Sequence, residues 1–388
     1  MKFFKFTYLL SKLNQKLQYC FYNIAGYLIY FLLYIVQIFK KVIVIQMWTN
    51  RIGHLANDTN NFLQTINHNY NKPFIVGIRE KQIANNQLLK IYSKYIHIVH
   101  PIFKKIIDNS VLKESEFYFG HIHQYTFSKE YNFSSIKINY SFNKKEYHYG
   151  KKQLIKMGID SWFVCFHARD PYFLKNQLPG MDFSYHDYRD FDVNDMIPAM
   201  EYITRQGGYA IRMGSHTEKL LNSDNPKIID YANKFRCDFM DIWLLANCKF
   251  YIGSDSGIGA VPLMFNKPAG FINMSQIKDI LPEPNCLVIP KLRNKNGRIL
   301  CLDEMLMHNF YFSHEWKENG IQLINNSPED ILDLTKEIYT YYNNGKICIE
   351  KFISKKAQDA FFNTKYKKQI YFGWYFGDKF FNKIFYLT

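Results

Sequence analysis

The feature that most limits the fold is a repeated alternation. A short β-branched or aromatic run is followed by a polar or glycine-containing loop and then by a helix-length segment. Val42–Met47 (VIVIQM) is such a run, with the loop Trp48–His54 and a helix from about Leu55 to Ile66 after it. Phe74–Ile78 (FIVGI) and a helix over Asn86–Tyr95 repeat the pattern. Short apolar runs without a polar face read as strands buried on both sides. Strands alternating with helices predict a parallel sheet covered by helices, which is an α/β fold.

The alternation resumes later. Trp162–His167 (WFVCFH), Tyr209–Met213 (YAIRM), Lys249–Ile252 (KFYI) and Ala269–Asn273 (AGFIN) read as strands. Helices are expected over Met196–Arg205, Phe239–Ala246 and Ile258–Phe265. Asp195 is the expected cap of the first of these, with Pro198 in its first turn, where a missing N–H costs nothing. Between the two series, Ser110–Tyr149 lacks periodicity and reads as loops and a junction. A chain of 388 residues exceeds what one core usually holds. The expected division is a membrane-associating segment at 1–41, α/β domains at 42–150 and 151–345, and a helical tail at 346–388.

Phe21–Phe39 is apolar apart from Asn23, Gly26 and Gln37, and its length approaches that of a bilayer span. Lys2, Lys5, Lys12 and Lys16 precede it, and Lys40–Lys41 follow. No small-residue cleavage site follows, which argues against a secretory signal. A spanning anchor, a helix lying in the membrane interface, and a helix packed on the folded body are all open. Lysines at both ends and a strand starting at once favour the second.

The net charge of +15 favours an anionic partner. Lys and Arg are dispersed and no nucleic-acid motif occurs, so a membrane surface or a phosphorylated substrate is expected and nucleic acid is not. The seven cysteines form no CxxC pair, which argues against a disulfide framework or zinc site and for a reducing cytoplasm.

Gly253-Ser254-Asp255-Ser256-Gly257 lies between a strand and a helix, where backbone N–H groups suit a phosphate. Ser254, Ser256 and the backbone are expected to contact it. Asp255 suits a ribose or sugar hydroxyl, or a cap. Arg169 and Arg212 fall at predicted strand ends, Arg212 just before Gly214, and Arg189 sits in the polar loop Asp182–Asp192. Arginine forks match phosphate oxygens, so these residues suggest a diphosphate pocket. Asp190-Phe191-Asp192 matches a DxD metal motif but reads better as capping and loop hydrogen bonding, so no metal is expected. His54, with Asp58 four residues on, is a candidate general base or a loop-stabilising histidine. His121 and His123 read as structural, with no third ligand at metal-like spacing.

The ordered motifs Arg51–Ala56 (RIGHLA), His167–Asp170 (HARD), Gly207–Gly214 (GGYAIRMG), Ile229–Ala232, Phe239–Asp241, Gly253–Gly257, Val261-Pro262 and Lys267-Pro268 are similar to a glycosyltransferase family of bacterial surface-polysaccharide gene clusters. The resemblance covers roughly residues 42–345. His167-Ala168-Arg169 also resembles, more loosely, the HxR motif of fucosyltransferases, which implies that Arg169 holds a donor β-phosphate. Asp170 replaces the second arginine often found there.

The resemblance implies a GT-B architecture, with two Rossmann-like domains facing a cleft. With the apolar segment, the basic charge and the unpaired cysteines, a cytoplasmic enzyme, peripheral or monotopic at the inner face of the membrane, is expected. Such an enzyme would move a hexosyl or deoxyhexosyl group from a nucleoside diphosphate sugar to a glycan or lipid-linked acceptor in polysaccharide biosynthesis. Metal-independent, inverting transfer is expected. A sugar-nucleotide epimerase, or a non-catalytic glycan- or partner-binding protein on the same fold, are the alternatives.

Overall fold

The computed structural model describes residues 2–125, 138–172, 180, 182–215, 217–277, 285–343, 346–347 and 375–385. The chain forms two compact units, Met1–Ile138 and Asn139–Thr388.

The first unit holds a parallel four-stranded sheet in the order β3-β2-β1-β4. Its strands are β1 (Val42–Gln46), β2 (Phe74–Ile78), β3 (His97–Val99) and β4 (Tyr118–His121). Val42 pairs with Phe74 and Gln46 with Ile78, so β1 and β2 run in full register. Val42, Ile43 and Ile45 are completely buried. Burial of each such side chain is worth roughly 1.5–3 kcal/mol, which is why this run anchors the sheet. The long helix α1 (Lys2–Gln37) precedes it, and α2 (Ile52–Asn69), α3 (Asn86–Tyr92) and α4 (Ile102–Asp108) connect the strands. Leu55, Ala56, Phe62, Leu63 and Ile66 form the buried face of α2. From β1 the chain builds β2 and β3 on one side, then returns to place β4 on the other. The loops after β1 and β4 therefore diverge, leaving a crevice at their carboxyl ends.

Helix α1 is fixed to this body along one side. Tyr22, Ala25, Ile29, Tyr30, Leu33 and Val36 pack with Val42, Val44, Ile106, Ile107, Leu112 and Phe117. A Cβ at Gly26 would collide with the Ser110 side chain, so glycine is what allows the helix this close. The Gln37 side chain accepts the Val42 N–H at 2.6 Å and joins the helix end to β1.

The second unit is built on a seven-stranded sheet. Its six main strands are β5 (Phe163–His167), β6 (Tyr209–Arg212), β7 (Ile228–Ile229), β8 (Tyr251–Ser254), β9 (Ala269–Met274) and β10 (Cys286–Pro290), and Tyr375–Phe376 lies at the edge beside β10. All its pairings are parallel. The order β10-β9-β8-β5-β6-β7 has the same logic as in the first unit. The chain steps outward from β5 through β6 and β7, then crosses back to β8 on the other side of β5. The crossover helices include α6 (Ile197–Arg205), α7 (Tyr231–Lys234), α8 (Asp238–Asn247) and α9 (Ala260–Met264). Helix α10 (Pro328–Tyr341) buries Ile331, Leu334 and Ile338 in the core with Ile252, Leu287 and Ile289.

Several expectations shift. The division, expected near residue 150, falls between Ile138 and Asn139. Helix α5 (Lys144–Lys156) docks on the second unit because Gly150 lies against Trp243, where any Cβ would overlap the indole. Asp195 is not the cap of α6, which starts from Met196. A 3-10 turn, Val193–Met196, precedes α6, and Asp192 caps that turn by accepting the Asn194 N–H. The segment Cys286–Pro290, not expected as a strand, is β10. Most of the expected 346–388 tail lies outside the described residues. Within it, Tyr375–Phe376 is a strand and Asp378–Phe385 a helix.

Candidate functional site

The principal candidate lies in the second unit, at the carboxyl ends of β5, β8 and β10. The crevice between β5 and β8 is the point where the strand order reverses, and open α/β sheets take ligands there. Arg169 lies two residues beyond β5. Its N–H donates to Ser254 Oγ at 2.9 Å, which ties the loop after β5 to the end of β8. Its Nη1 donates to Asp190 and to the His186 carbonyl. Among the described residues no partner takes Arg169 Nε or Nη2. Arg189 donates from Nε to the Asp255 carbonyl at 3.1 Å and from Nη2 to Asp255 Oδ1 at 2.7 Å. Asp255 is thus the counterion that holds Arg189 in place. Its Oδ2 is buried with no partner among the described residues.

Lys291 completes the cluster. It follows β10 directly, and its Nζ donates to the Tyr188 carbonyl at 2.6 Å and the Asp190 carbonyl at 3.4 Å. Burial pushes its ammonium down to about 8, against the pull of Asp255 and Asp190. Burial likewise pushes the Asp190 carboxyl up to about 6, although Arg169 opposes this. Three cations, Arg169, Arg189 and Lys291, therefore meet around the segment 188–190 with two carboxylates among them. A buried cation cluster with unused donors at a sheet's carboxyl edge can bind a multiply charged anion.

The serine loop differs in detail from its expected form. Gly253 and Ser254 are buried within β8. Gly253 makes room for the Tyr251 ring, which a Cβ would strike. Ser254 spends its hydroxyl on the Arg169 backbone rather than facing outward. Ser256 and Gly257 are accessible, and a 3-10 turn, Gly257–Gly259, leads into the five-residue α9. So short a helix contributes little dipole, and the charge of the site comes from side chains. Arg212 is almost fully buried and paired with Asp230 at 3.3 Å. With Arg169 it adds to the burial that drives His167 down to about 3, so that His167 stays neutral. Gly214 has φ +146°, which excludes a side chain.

The second candidate lies in the first unit, at the carboxyl ends of β1 and β4. His54 was expected in a loop but occupies the first turn of α2. Its Nδ1 lies 3.1 Å from Asp58 Oδ2, and the i,i+4 spacing puts both on one face. His123, in the 3-10 turn Ile122–Tyr125 after β4, places its own Nδ1 2.9 Å from the same oxygen. The third partner that spacing along the chain did not reveal for His123 is thus supplied by α2. Asp58 is buried, and with both imidazoles as Nδ1–H tautomers it accepts from each, leaving His54 Nε2 as a basic nitrogen. Trp48 stacks on His54, ring centroids 3.8 Å apart and planes within 1°. The Trp48 loop is itself clamped: the N–H groups of Thr49 and Asn50 both donate to Glu80 Oε2 at 3.0 Å.

The donor atoms of His54, Asp58 and His123 lie within 4.8 Å of one another, a grouping that could also hold a cation. Their separations are those of hydrogen bonds, and nothing in the arrangement calls for an obligatory metal.

No family model matches the sequence, and no curated protein does. The motif order that resembles the surface-polysaccharide family therefore stays a reading of the residues. Among solved structures, the chain is similar to a glycosyl transferase family 9 protein from Veillonella parvula, at 11% identity over 65% of this chain and 86% of that one, TM-score 0.41. It is also similar to the E. coli ADP-heptose LPS heptosyltransferase II, at 12% identity over 66% and 92%, TM-score 0.47. The dodecameric iron-containing heptosyltransferase TibC shares 11% identity over 70% of this chain and 67% of its own, TM-score 0.41.

Proposed function

We propose that the chain is a glycosyltransferase of the two-domain GT-B type that transfers a sugar from a nucleoside diphosphate sugar. The observation that carries the reading is the Arg169–Arg189–Lys291 cluster at the strand-order reversal of the second sheet. A diphosphate has the charge that the unused donors of these cations require. Asp255 Oδ2 offers an acceptor to a ribose or sugar hydroxyl, and Ser256 with the Gly257 backbone offers further donors.

The first unit takes the acceptor, a glycan or lipid-linked glycan. His54 Nε2 removes the proton from the acceptor hydroxyl while Asp58 stabilises the resulting imidazolium. The acceptor oxygen attacks the anomeric carbon, and the bond from that carbon to the diphosphate breaks with inversion. The departing diphosphate keeps the electron pair, and its charge is met by Arg169, Arg189 and Lys291 without a metal.

The test is calorimetry with nucleoside diphosphates on the Arg169→Ala variant. Binding should fall by at least a hundredfold while circular dichroism and melting stay near wild type. Unchanged affinity in a folded variant would remove the pocket and the reading built on it.

A further inference from the structure

The first-unit helix α1 has two unlike sides. Tyr22, Gly26, Ile29, Leu33 and Val36, three or four residues apart, form the side that packs on the body. The other side carries Phe21, Ile24, Tyr27, Leu28, Phe31, Leu32, Tyr34 and Ile35, each at least 40% exposed, and continues into Ile38 and Phe39. An apolar surface of this extent is far larger than isolated exposed hydrophobics produce, and it marks a surface that meets another phase or molecule.

Length and hydropathy alone allow residues 11–37 to cross a bilayer. The packing argues against it. The apolar centre of the helix is fastened to β1, α4 and the 3-10 turn Val111–Glu114, with Gly26 set against Ser110 and Tyr30 against Phe117. Placing that centre inside hydrocarbon would carry the attached elements with it, including the exposed Lys104–Asp108 ion pair of α4. Charges at that depth are strongly disfavoured. A helix held by one side to a soluble body can instead offer its opposite side to the boundary between headgroups and acyl chains.

We infer that α1 lies in the plane of an anionic lipid surface, with Phe21, Ile24, Leu28, Phe31, Leu32 and Ile35 in the acyl boundary. Charge selects lipid over a second copy of the chain. Lys12 and Lys16 on the exposed early part of the helix and Lys40 at its end bracket the apolar side. In a homodimer these lysines would face like charge, on a chain of net charge +15. Against anionic headgroups they are attracted. The inference stands whether or not sugar transfer occurs.

The experiment is flotation of the whole protein with vesicles of phosphatidylcholine alone or with 30% phosphatidylglycerol. Binding to the anionic vesicles should exceed binding to the neutral ones at least tenfold. The triple substitution Leu28→Ser, Phe31→Ser, Leu32→Ser should lower it at least tenfold without altering circular dichroism or nucleotide binding. Equal loss of vesicle and nucleotide binding would mark a folding defect; Phe31→Ser alone, tested in the same way, must then separate the two, and failure to do so overturns the assignment. A Ser11→Cys label, in a background with Cys20, Cys237, Cys301 and Cys348 replaced by serine, should react with an impermeant maleimide added on the side of the folded body. Reaction only from the vesicle interior would show a spanning helix. Absence of vesicle binding, with a dimer in sedimentation that the triple variant makes monomeric, would assign the face to a second copy. Either result overturns the inference.

Discussion

Asp190 and Lys291 set the charge of the second-unit site, and both titrate where experiments are run. Asp190, raised to about 6, holds Arg169 when ionised and releases it when protonated. Lys291, lowered to about 8, is fully charged only below that pH. Both effects have the same sign: lowering the pH adds net positive charge to the site. Affinity for a nucleoside diphosphate sugar should therefore tighten from pH 9 to 7 as Lys291 gains its proton, and again from pH 7 to 5.5 as Asp190 gains its own. Each step should be about tenfold, the value of a modest charge-assisted hydrogen bond. Asp190→Asn should remove the lower step and Lys291→Arg the upper one in calorimetry across that range. A flat profile in the wild type would separate these groups from the ligand. Asp190 was visible in the sequence only as half of a DxD pattern. Its role depends on Arg169, which the chain brings to it from another loop. Asp255, ambiguous as a residue type beside a phosphate, is explained once Arg189 is seen to be bound to it.

At the scale of elements, the strands that are uniformly apolar were legible: Phe74–Ile78 is β2 to the residue, and Val42–Met47 overshoots β1 by one. The strand Cys286–Pro290 was not, because Pro282, Pro284 and Pro290 punctuate that stretch. Pro290 is tolerated where the pairing with β9 is irregular, between Val288 and Pro290. Missing that strand meant missing Lys291, whose position matters only because β10 delivers it to the sheet's carboxyl edge. Helix α5 had a readable start signal in the Asn143–Glu146 capping box, which was passed over; its membership of the second unit was not legible, since the contact that assigns it, Gly150 on Trp243, joins residues far apart in the chain. Gly150→Leu should overpack this contact and cost about 1–3 kcal/mol in denaturant unfolding. Gly158→Ala, at φ +74° with open space around it, tests backbone strain alone and should cost less. Equal losses would mean that α5 does not rest on Trp243.

At the scale of the whole molecule, each unit puts its candidate chemistry at the reversal of its own sheet order, with cations in one and a histidine–carboxylate group in the other. The alternation of strands and helices announced two such sheets. It could not announce that His123 would meet Asp58, because β4 reaches β1 only through pairing distant in sequence. If His54 acts as a base held by Asp58, turnover should survive prolonged EDTA treatment, with less than a twofold loss in a radiolabelled-donor assay. A loss restored by zinc or manganese would instead give His54, Asp58 and His123 to a metal ion and take the base role from His54.

The junction between α1 and β1 has a consequence of reach. Gln37 binds Val42 directly, and β1 is five residues long, or roughly 17 Å at about 3.3 Å per residue. With α1 on a lipid surface, Trp48, six residues past Val42, opens its loop within roughly 25 Å of the end of the anchored helix, at about 3.3 Å per residue plus the Gln37 side chain. An acceptor tethered to the same bilayer must then present its hydroxyl within a fixed height. The enzyme would choose among growing chains partly by how far they stand off the membrane, as a gauge does, in addition to which sugar they end in.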